Sequence, residues 1–157
     1  MKYLCLVIIL GTWLLFSAQT EPFVDATDPI FPSAVKDSTI ILNKYLNELA
    51  VAERQANQPQ IAQRAFAAAV IYKKINNPSA AKKYYQQALM AAAEIGDSNT
   101  EAKSLYQIAQ LNFLEDNYES ALTYFFRTEE ALQHVAKPVE TTEVYSGIGR
   151  TYFAINK

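Results

Sequence analysis

The distribution of apolar residues after about residue 60 follows a helical period. Apolar side chains recur at spacings of three and four residues, as in Leu105, Ile108 and Ala109 and again in Leu122, Phe125 and Phe126. Residues spaced in this way lie on one face of an α-helix and can be buried together. The pattern therefore predicts a series of amphipathic helices and no strands.

The predicted helices belong to an internal repeat with a period of 40 residues. Residues 61–100 align without a gap on residues 101–140, and a third copy starts at 141 and stops at 157. The matched positions are small or aromatic: Ala62 and Ala102, Ala69 and Ala109, Asn77 and Asn117, Ala81 and Ala121, Tyr84 and Tyr124, Ala91 and Ala131. We therefore predict two complete units of two helices each and a truncated third unit over 141–157.

Capping residues mark where the helices of each unit begin. Asn77 is suited to cap a helix whose first residue is Pro78, and Asp116 with Asn117 takes the same place in the next unit. Asp97 and Ser98 are suited to start the helix that opens the second unit. We expect breaks at these three places.

Small residues recur where the two helices of a unit must approach closely. Ala69, Ala109 and Gly149 occupy one position of the repeat, and Ala81 and Ala121 occupy the position expected to face it. Side chains of this size let helix axes come close together. The sequence thus predicts that Gly149 is a packing residue like the two alanines.

The chain before the repeats divides into three parts. Residues 1–20 contain an uncharged apolar run, 4–16, followed by small and polar residues, which is typical of a signal peptide. Residues 21–36 contain three prolines and no period, so we expect a linker. Residues 37–57 predict a capping helix for the first repeat, in phase with it because Ile41 and Tyr45 align with Ala81 and Tyr85.

The apolar run at the N-terminus predicts export to the periplasm or the extracellular space. A membrane-spanning helix needs about 20 apolar residues, and this run is shorter, so cleavage is favoured over retention as an anchor through residues 4–18. Cleavage after Ser17, Ala18 or Thr20 fits equally well. The only cysteine is Cys5, so removal of this segment would leave a chain without thiols.

Three strings of the repeat resemble the tetratricopeptide repeat (TPR) signature. They are Ala81-x-x-Tyr84-Tyr85-x-x-Ala88-Leu89, Asn117-Tyr118-x-x-Ala121-x-x-Tyr124-Phe125 and Ile148-Gly149-x-x-Tyr152. The resemblance covers 61–157 and implies an all-α fold, a right-handed α-solenoid of antiparallel helix hairpins. The standard period is about 34 residues, and HEAT and armadillo units have periods near 40, so the period alone leaves these helical families open.

The resemblance also implies a binding surface, since the first helix of each hairpin lines a concave groove in this family. We expect that helix to turn the stripe spaced i, i+3, i+7, i+10 into the groove. The candidate partner-binding residues are Gln63, Phe66, Val70, Lys73, Lys103, Tyr106, Gln110, Phe113, Ser146, Arg150 and Phe153, with Glu143 beginning the stripe of the third unit.

Aromatic and basic side chains alternate along this predicted groove. Such a surface suits a protein or peptide with bulky apolar and some acidic residues. The TPR carboxylate clamp for chaperone tails needs Lys and Asn where this chain has Phe66 and Val70, so that partner is not implied. An alternative is that the groove aromatics pack on another segment of the same chain.

Composition argues against most other function classes. The net charge is −2, with 14 basic residues scattered along the chain, which disfavours nucleic acid and acidic membranes as partners. We predict no enzyme activity, no catalytic residue, no metal site and no cofactor, because the chain has one histidine and no recognisable nucleophile motif. His134 is predicted in the last turn of a helix, where a cation interacts favourably with the helix dipole.

The sequence therefore predicts an exported scaffold for protein–protein interaction. The alternative is the extracytoplasmic sensory region of a longer signalling protein, such as a histidine kinase, a diguanylate cyclase or a transcription regulator, of which this chain is a fragment. The third unit stops at its first helix, which would leave part of the face of Tyr145, Ile148 and Tyr152 exposed to water. We therefore expect either that the chain is a fragment of a longer protein or that this end is buried against a partner chain. The oligomeric state is left open.

Overall fold

A computed structural model describes the backbone of residues 30–135 and 141–156 and the side chains from residue 37 onward within these ranges. The described residues form α-helices and no strands, which confirms the predicted all-α class. In chain order the helices are α1 (Ile30–Arg54), α2 (Gln58–Lys74), α3 (Pro78–Ile95), α4 (Ser98–Leu114), α5 (Tyr118–Leu132) and α6 (Thr141–Ile155). The predicted signal peptide lies outside the described residues, and none of the described helices has the length and hydropathy needed to cross a bilayer.

The first helix starts earlier than the sequence indicated. α1 begins at Ile30, whereas residues 21–36 were expected to form an irregular linker and the helix was expected at 37–57. Pro32 does not prevent this because it is the third helical residue, where the backbone N–H of any residue has no partner within the helix. The last seven residues of the predicted linker are therefore helical.

Short connectors with one left-handed residue join the first five helices in chain order. Positive φ angles occur at Ala56 (49°), Asn76 (57°), Gly96 (69°) and Asp116 (57°). Each of these residues ends one helix and turns the backbone, and the next helix starts within two residues. These connectors are too short to let consecutive helices separate, and α2, α3, α4 and α5 pack on one another in chain order.

The helix starts agree with the predicted caps, with one difference. The Asn77 side chain accepts a hydrogen bond from the backbone N–H of Ala80 at 3.1 Å, and Asp97 accepts one from Thr100 at 3.1 Å. Asn117 occupies the same N-cap position on α5 but makes no side-chain capping bond. The capping residues therefore predicted all three helix starts correctly. The expected capping hydrogen bond is present at two of them.

The core is built from alanines and large side chains that share the helix interfaces. The main cluster joins α3, α4 and α5 around Tyr85, Leu105, Ile108 and Phe125, all nearly inaccessible to water. A second cluster joins α1 to α2 and α3 through Leu49 and Ala52. Together they bury most of the predicted apolar faces of the two complete units, although Phe126 is 45% exposed.

The packing position of the third unit differs from the expectation. Ala69 and Ala109 are fully buried, but Gly149 is exposed and a side chain added there would have no neighbour within 4 Å. Gly147 makes the close approach instead, against Phe125. The reason is that α6 contacts α5 and α4 on one side only, so the face that carries Gly149 is not covered by any described helix.

Candidate functional site

A pocket of about 410 Å³ opens between the second and third units. Its walls come from α4 and α6, with one ring from α5 at its base. Five of the eleven predicted groove residues line it, and they are Tyr106, Gln110, Phe113, Ser146 and Arg150. Predicted groove residues from two separate repeat units thus lie on one surface.

The aromatic and cationic side chains of this pocket contact each other directly. The guanidinium of Arg150 lies 4.7 Å from the centre of the Phe113 ring, which is a cation–π distance. The contact orients the exposed arginine across the pocket wall, and the ring beneath it is half-buried. Phe113 also packs against Tyr118, with ring centres 5.7 Å apart.

A second, shallower cavity of about 380 Å³ adjoins the same pair of residues. Phe113 and Arg150 line both cavities, and Phe153 and Tyr118 line only the second. The exposed fraction of Phe153 is 65%, which is high for an aromatic side chain. The apolar surface therefore continues from the main pocket along α6.

A polar ladder links the first unit to the second beside the pocket. The ammonium of Lys73 donates hydrogen bonds to the side-chain oxygens of Gln107 at 2.8 Å and Gln110 at 3.1 Å. Gln110 in turn donates to the Tyr106 hydroxyl at 2.7 Å. Partial burial lowers the pKa of Lys73 from its usual value, because removal of water from around the ammonium disfavours its charged form.

Two of the predicted groove aromatic residues pack partly in the core. The Phe66 ring meets Tyr85 edge-on at a centroid distance of 5.3 Å, and the Tyr106 ring lies 6.1 Å from Phe125. Both rings are half-buried. They hold the two helices of their own unit together, and each remains partly exposed.

Four further residues of the predicted groove do not line the pocket, although Lys73 bonds to the pocket residue Gln110. Gln63, Val70 and Lys73 are exposed on α2, and Lys103 is half-buried on α4. None of them lines the pocket between the second and third units. The first unit thus contributes a separate, more polar part of the predicted surface.

Some pocket residues were not among the predicted ones. Leu114, Phe125, Thr142 and Gly147 also line it, as does Glu143 from the predicted stripe. Leu114, Thr142 and Gly147 each lie one position from a stripe residue, so widening the stripe by one residue would have found them. Phe125 could not have been found in this way, because its position in the repeat predicts a buried core residue.

The expected position of His134 is corrected by two residues. α5 ends at Leu132, and His134 lies in the following turn, exposed, with its backbone N–H donating to the Ala131 carbonyl at 3.2 Å. No three acidic, histidine or cysteine side chains of the described residues are grouped as a metal ion would require. The described part of the chain offers a surface of apolar, cationic and amide groups.

Comparisons with known proteins give this chain no family: no protein-family model matches the sequence, and no curated protein matches it.

Proposed function

We propose that this protein is a binding scaffold that takes up a segment of another polypeptide in the groove formed by the first helices of its repeat units. The pocket between α4 and α6 is the observation that carries the proposal. It is open to solvent on a protein surface, it has apolar walls, and its polar groups converge on it from two units. An arrangement of this kind binds by shape and charge, without chemistry of its own.

The proposed architecture is a right-handed solenoid of TPR-like hairpins. The 40-residue register, the small residues between paired helices and the short connectors support it. In such a stack the first helices α2, α4 and α6 line one continuous surface. Contacts between α2 and α4 and between α4 and α6, in addition to those of consecutive helices, agree with this order.

The chemistry of the groove favours a segment with a bulky apolar side chain and an acidic one. Phe113 and Tyr106 give the pocket its apolar wall, and the Arg150 cation spans the rim. No carboxylate of the described residues forms a salt bridge with Arg150 or with Lys73. Arg150 can therefore pair with an incoming acid at the pocket, and Lys73, which bonds to Gln107 and Gln110, lies beside it. Glu143, which also lines the pocket from α6, disfavours further acidic residues in the bound segment.

We further propose that this binding takes place outside the cytoplasm. The support for this is the sequence of residues 1–20, with its short apolar run and small residues after it. The described residues contain no thiol, which suits an oxidising compartment. The proposed partner is therefore another exported or surface polypeptide.

Selection from a displayed random dodecapeptide library on the immobilised chain tests the groove. We expect enrichment of peptides that combine an aromatic or large aliphatic residue with Asp or Glu. Ser146→Trp should abolish their binding by filling the pocket, and Arg150→Glu should remove the preference for acids. Ser79→Trp adds the same ring to an exposed position on α3 outside the pocket and should bind as the unchanged chain does.

Two results would contradict the proposal. One is enrichment of peptides whose binding survives Ser146→Trp, which would place the binding surface elsewhere. The other is a failure of any peptide to bind while circular dichroism shows the helices intact. Binding that is lost equally in Ser146→Trp and Ser79→Trp would count against the groove as well, since it would indicate a general effect of a surface tryptophan.

A further inference from the structure

The pocket between α4 and α6 carries its formal charges on one wall only. Ten residues line it, and two of them are charged, Glu143 and Arg150, which both belong to α6. The α4 wall is uncharged, and its residues are Tyr106, Gln110, Phe113 and Leu114. The pocket therefore has one acid and one base, and a single helix fixes the distance between them.

The two charged residues lie near the two ends of the α6 stretch that lines the pocket. They are seven positions apart in the sequence, so two turns of helix bring them to the same face of α6, about 10 Å apart along its axis. Ser146 and Gly147 lie between them and also line the pocket. Because these two side chains are very small, α6 presents an acidic end, a gap and a basic end.

The gap on α6 has aromatic surroundings. The Phe125 ring of α5 lies so close to Gly147 that a Cβ atom would not fit between them, and this ring forms the base of the pocket. The rings of Tyr106 and Phe113 lie on the α4 side. The volume of about 410 Å³ is within the range of about 300–1,000 Å³ that is common for ligand pockets. The gap can therefore accept a bulky apolar side chain and surround it with three rings.

Neither charge of the pocket is neutralised by an ion pair within the described part of the chain. The salt bridges found there involve neither Glu143 nor Arg150. The guanidinium of Arg150 instead lies 4.7 Å from the centre of the Phe113 ring, and this contact holds it at its own end of the pocket. Both charged side chains are exposed. Each can therefore form an ion pair with a bound molecule.

We propose that the segment bound in this pocket carries a bulky apolar residue between a basic residue and an acidic residue. The proposal rests on the proposed function, because it specifies the segment that the groove takes up. The basic side chain pairs with Glu143, the acidic side chain pairs with Arg150, and the apolar side chain enters the gap between them. An extended chain advances about 3.3 Å per residue, so two charges about three residues apart match the spacing on α6.

Two charges of opposite sign select more strictly than one charge would. A segment with two acids pairs with Arg150 through one of them and is repelled by Glu143 through the other, and a segment with two bases meets the reverse situation. Exposed ion pairs add little affinity. The apolar side chain therefore supplies most of the affinity, and the two charges decide which segments bind.

Selection from a random dodecapeptide library displayed on phage, carried out in parallel on the immobilised full chain and on its Glu143→Lys variant, tests the charge pair. Peptides selected on the unchanged chain should carry a basic and an acidic residue on opposite sides of an aromatic or large aliphatic residue. These peptides should bind Glu143→Lys about fivefold more weakly, because an attraction becomes a repulsion. Peptides selected on Glu143→Lys should carry a second acid in place of the base.

Two further variants serve as controls. Glu94→Lys makes the same change of charge at an exposed position of α3 outside the pocket, and it should select the same peptides as the unchanged chain. The double variant Glu143→Arg with Arg150→Glu exchanges the two charges of the pocket. It should again select peptides with one charge of each sign, which neither single change should do.

The outcomes separate this proposal from the proposed function. If Glu143→Lys selected peptides with the same charges as the unchanged chain does, the charge pair would be overturned, while binding that Ser146→Trp abolishes would keep the groove in place. Loss of the basic residue from peptides selected on Glu94→Lys would also overturn it, because the peptides would then respond to net charge alone. Failure of every peptide to bind the folded chain would overturn both proposals.

Discussion

Gly147 on α6 lies directly against the ring of Phe125 on α5. A Cβ atom built on this glycine would lie 2.5 Å from two ring carbons of Phe125, closer than any real contact between such atoms. The ring itself is 2% exposed and packs beside Tyr106, so it has little freedom to move aside. The approach of the third unit to the second therefore depends on the absence of a side chain at this one position.

Gly147→Ala should destabilise the protein. Forcing a methyl group into a packed site costs about 1–3 kcal/mol, while alanine in a helix gains up to ~1 kcal/mol over glycine. The clash is the larger effect, so we expect a net loss of about 1 kcal/mol in the free energy of unfolding, measured by urea denaturation.

Gly149→Ala is the matched control on the same helix. It brings the same gain in helix propensity into open space, so the free energy of unfolding should rise by up to ~1 kcal/mol. If both variants were stabilised equally, the contact between Gly147 and Phe125 would not limit the packing of α6.

The sequence located the helices better than it located individual contacts. Periodicity and capping residues gave the starts of α3, α4 and α5, because Asn, Asp and Pro have strong positional preferences at helix ends. The sequence predicted Gly149 as the small packing residue of the third unit, whereas the glycine that lies against Phe125 is Gly147. The repeat alignment shows which residues are equivalent, but it does not show whether another helix covers them. On α6, the side that contacts α5 differs from the side that the equivalent residues of α4 predict.

Other differences have equally local causes. A left-handed backbone conformation is expected for Gly96 and is tolerated by Asn76 and Asp116. The positive φ angle of Ala56 could not be predicted, because alanine has no preference for this conformation. The groove was expected from the TPR resemblance, and its stripe was chosen from the direction of the Cβ atoms. Phe66 and Tyr106 are long enough for their rings to reach the second helix of their own unit, and this placed part of each ring in the core.

Asn77→Ala should reduce stability more than Asn117→Ala. The two asparagines occupy equivalent N-cap positions, but only Asn77 accepts a hydrogen bond from the helix it precedes, at 3.1 Å from the Ala80 nitrogen. Loss of such a cap costs about 1 kcal/mol. Asn117 makes one long bond, 3.4 Å to the exposed Glu115 carboxylate, so its loss should cost much less.

Urea denaturation of both variants at neutral pH gives the comparison directly, since the residue type and the change are identical. The difference between the two losses in the free energy of unfolding measures the contribution of the capping hydrogen bond. The intrinsic preference of asparagine for the N-cap position cancels, because it is the same in both variants. Equal losses would show that the preference alone, and not the bond of Asn77, stabilises the start of α3.

Tyr85 should make the protein lose stability at high pH. Burial raises the pKa of its hydroxyl to about 12, above the usual value near 10, because the ionised form is excluded from the core. The unfolded chain therefore releases this proton at a lower pH than the folded chain. The stability that the neutral hydroxyl contributes is fully present below pH 10 and is lost as the pH rises from about 10 to about 12.

Urea denaturation between pH 8 and pH 12 measures this dependence, and Tyr85→Phe is the variant that isolates it. Phenylalanine occupies the equivalent position as Phe125 in the next unit, so the ring itself fits this environment. The variant should lose less stability than the unchanged chain above pH 10, with the difference confined to that range. Burial also raises the pKa of Tyr72, so part of the decline should remain in the variant. An unchanged slope in Tyr85→Phe would mean that Tyr85 reaches water before the helices unfold.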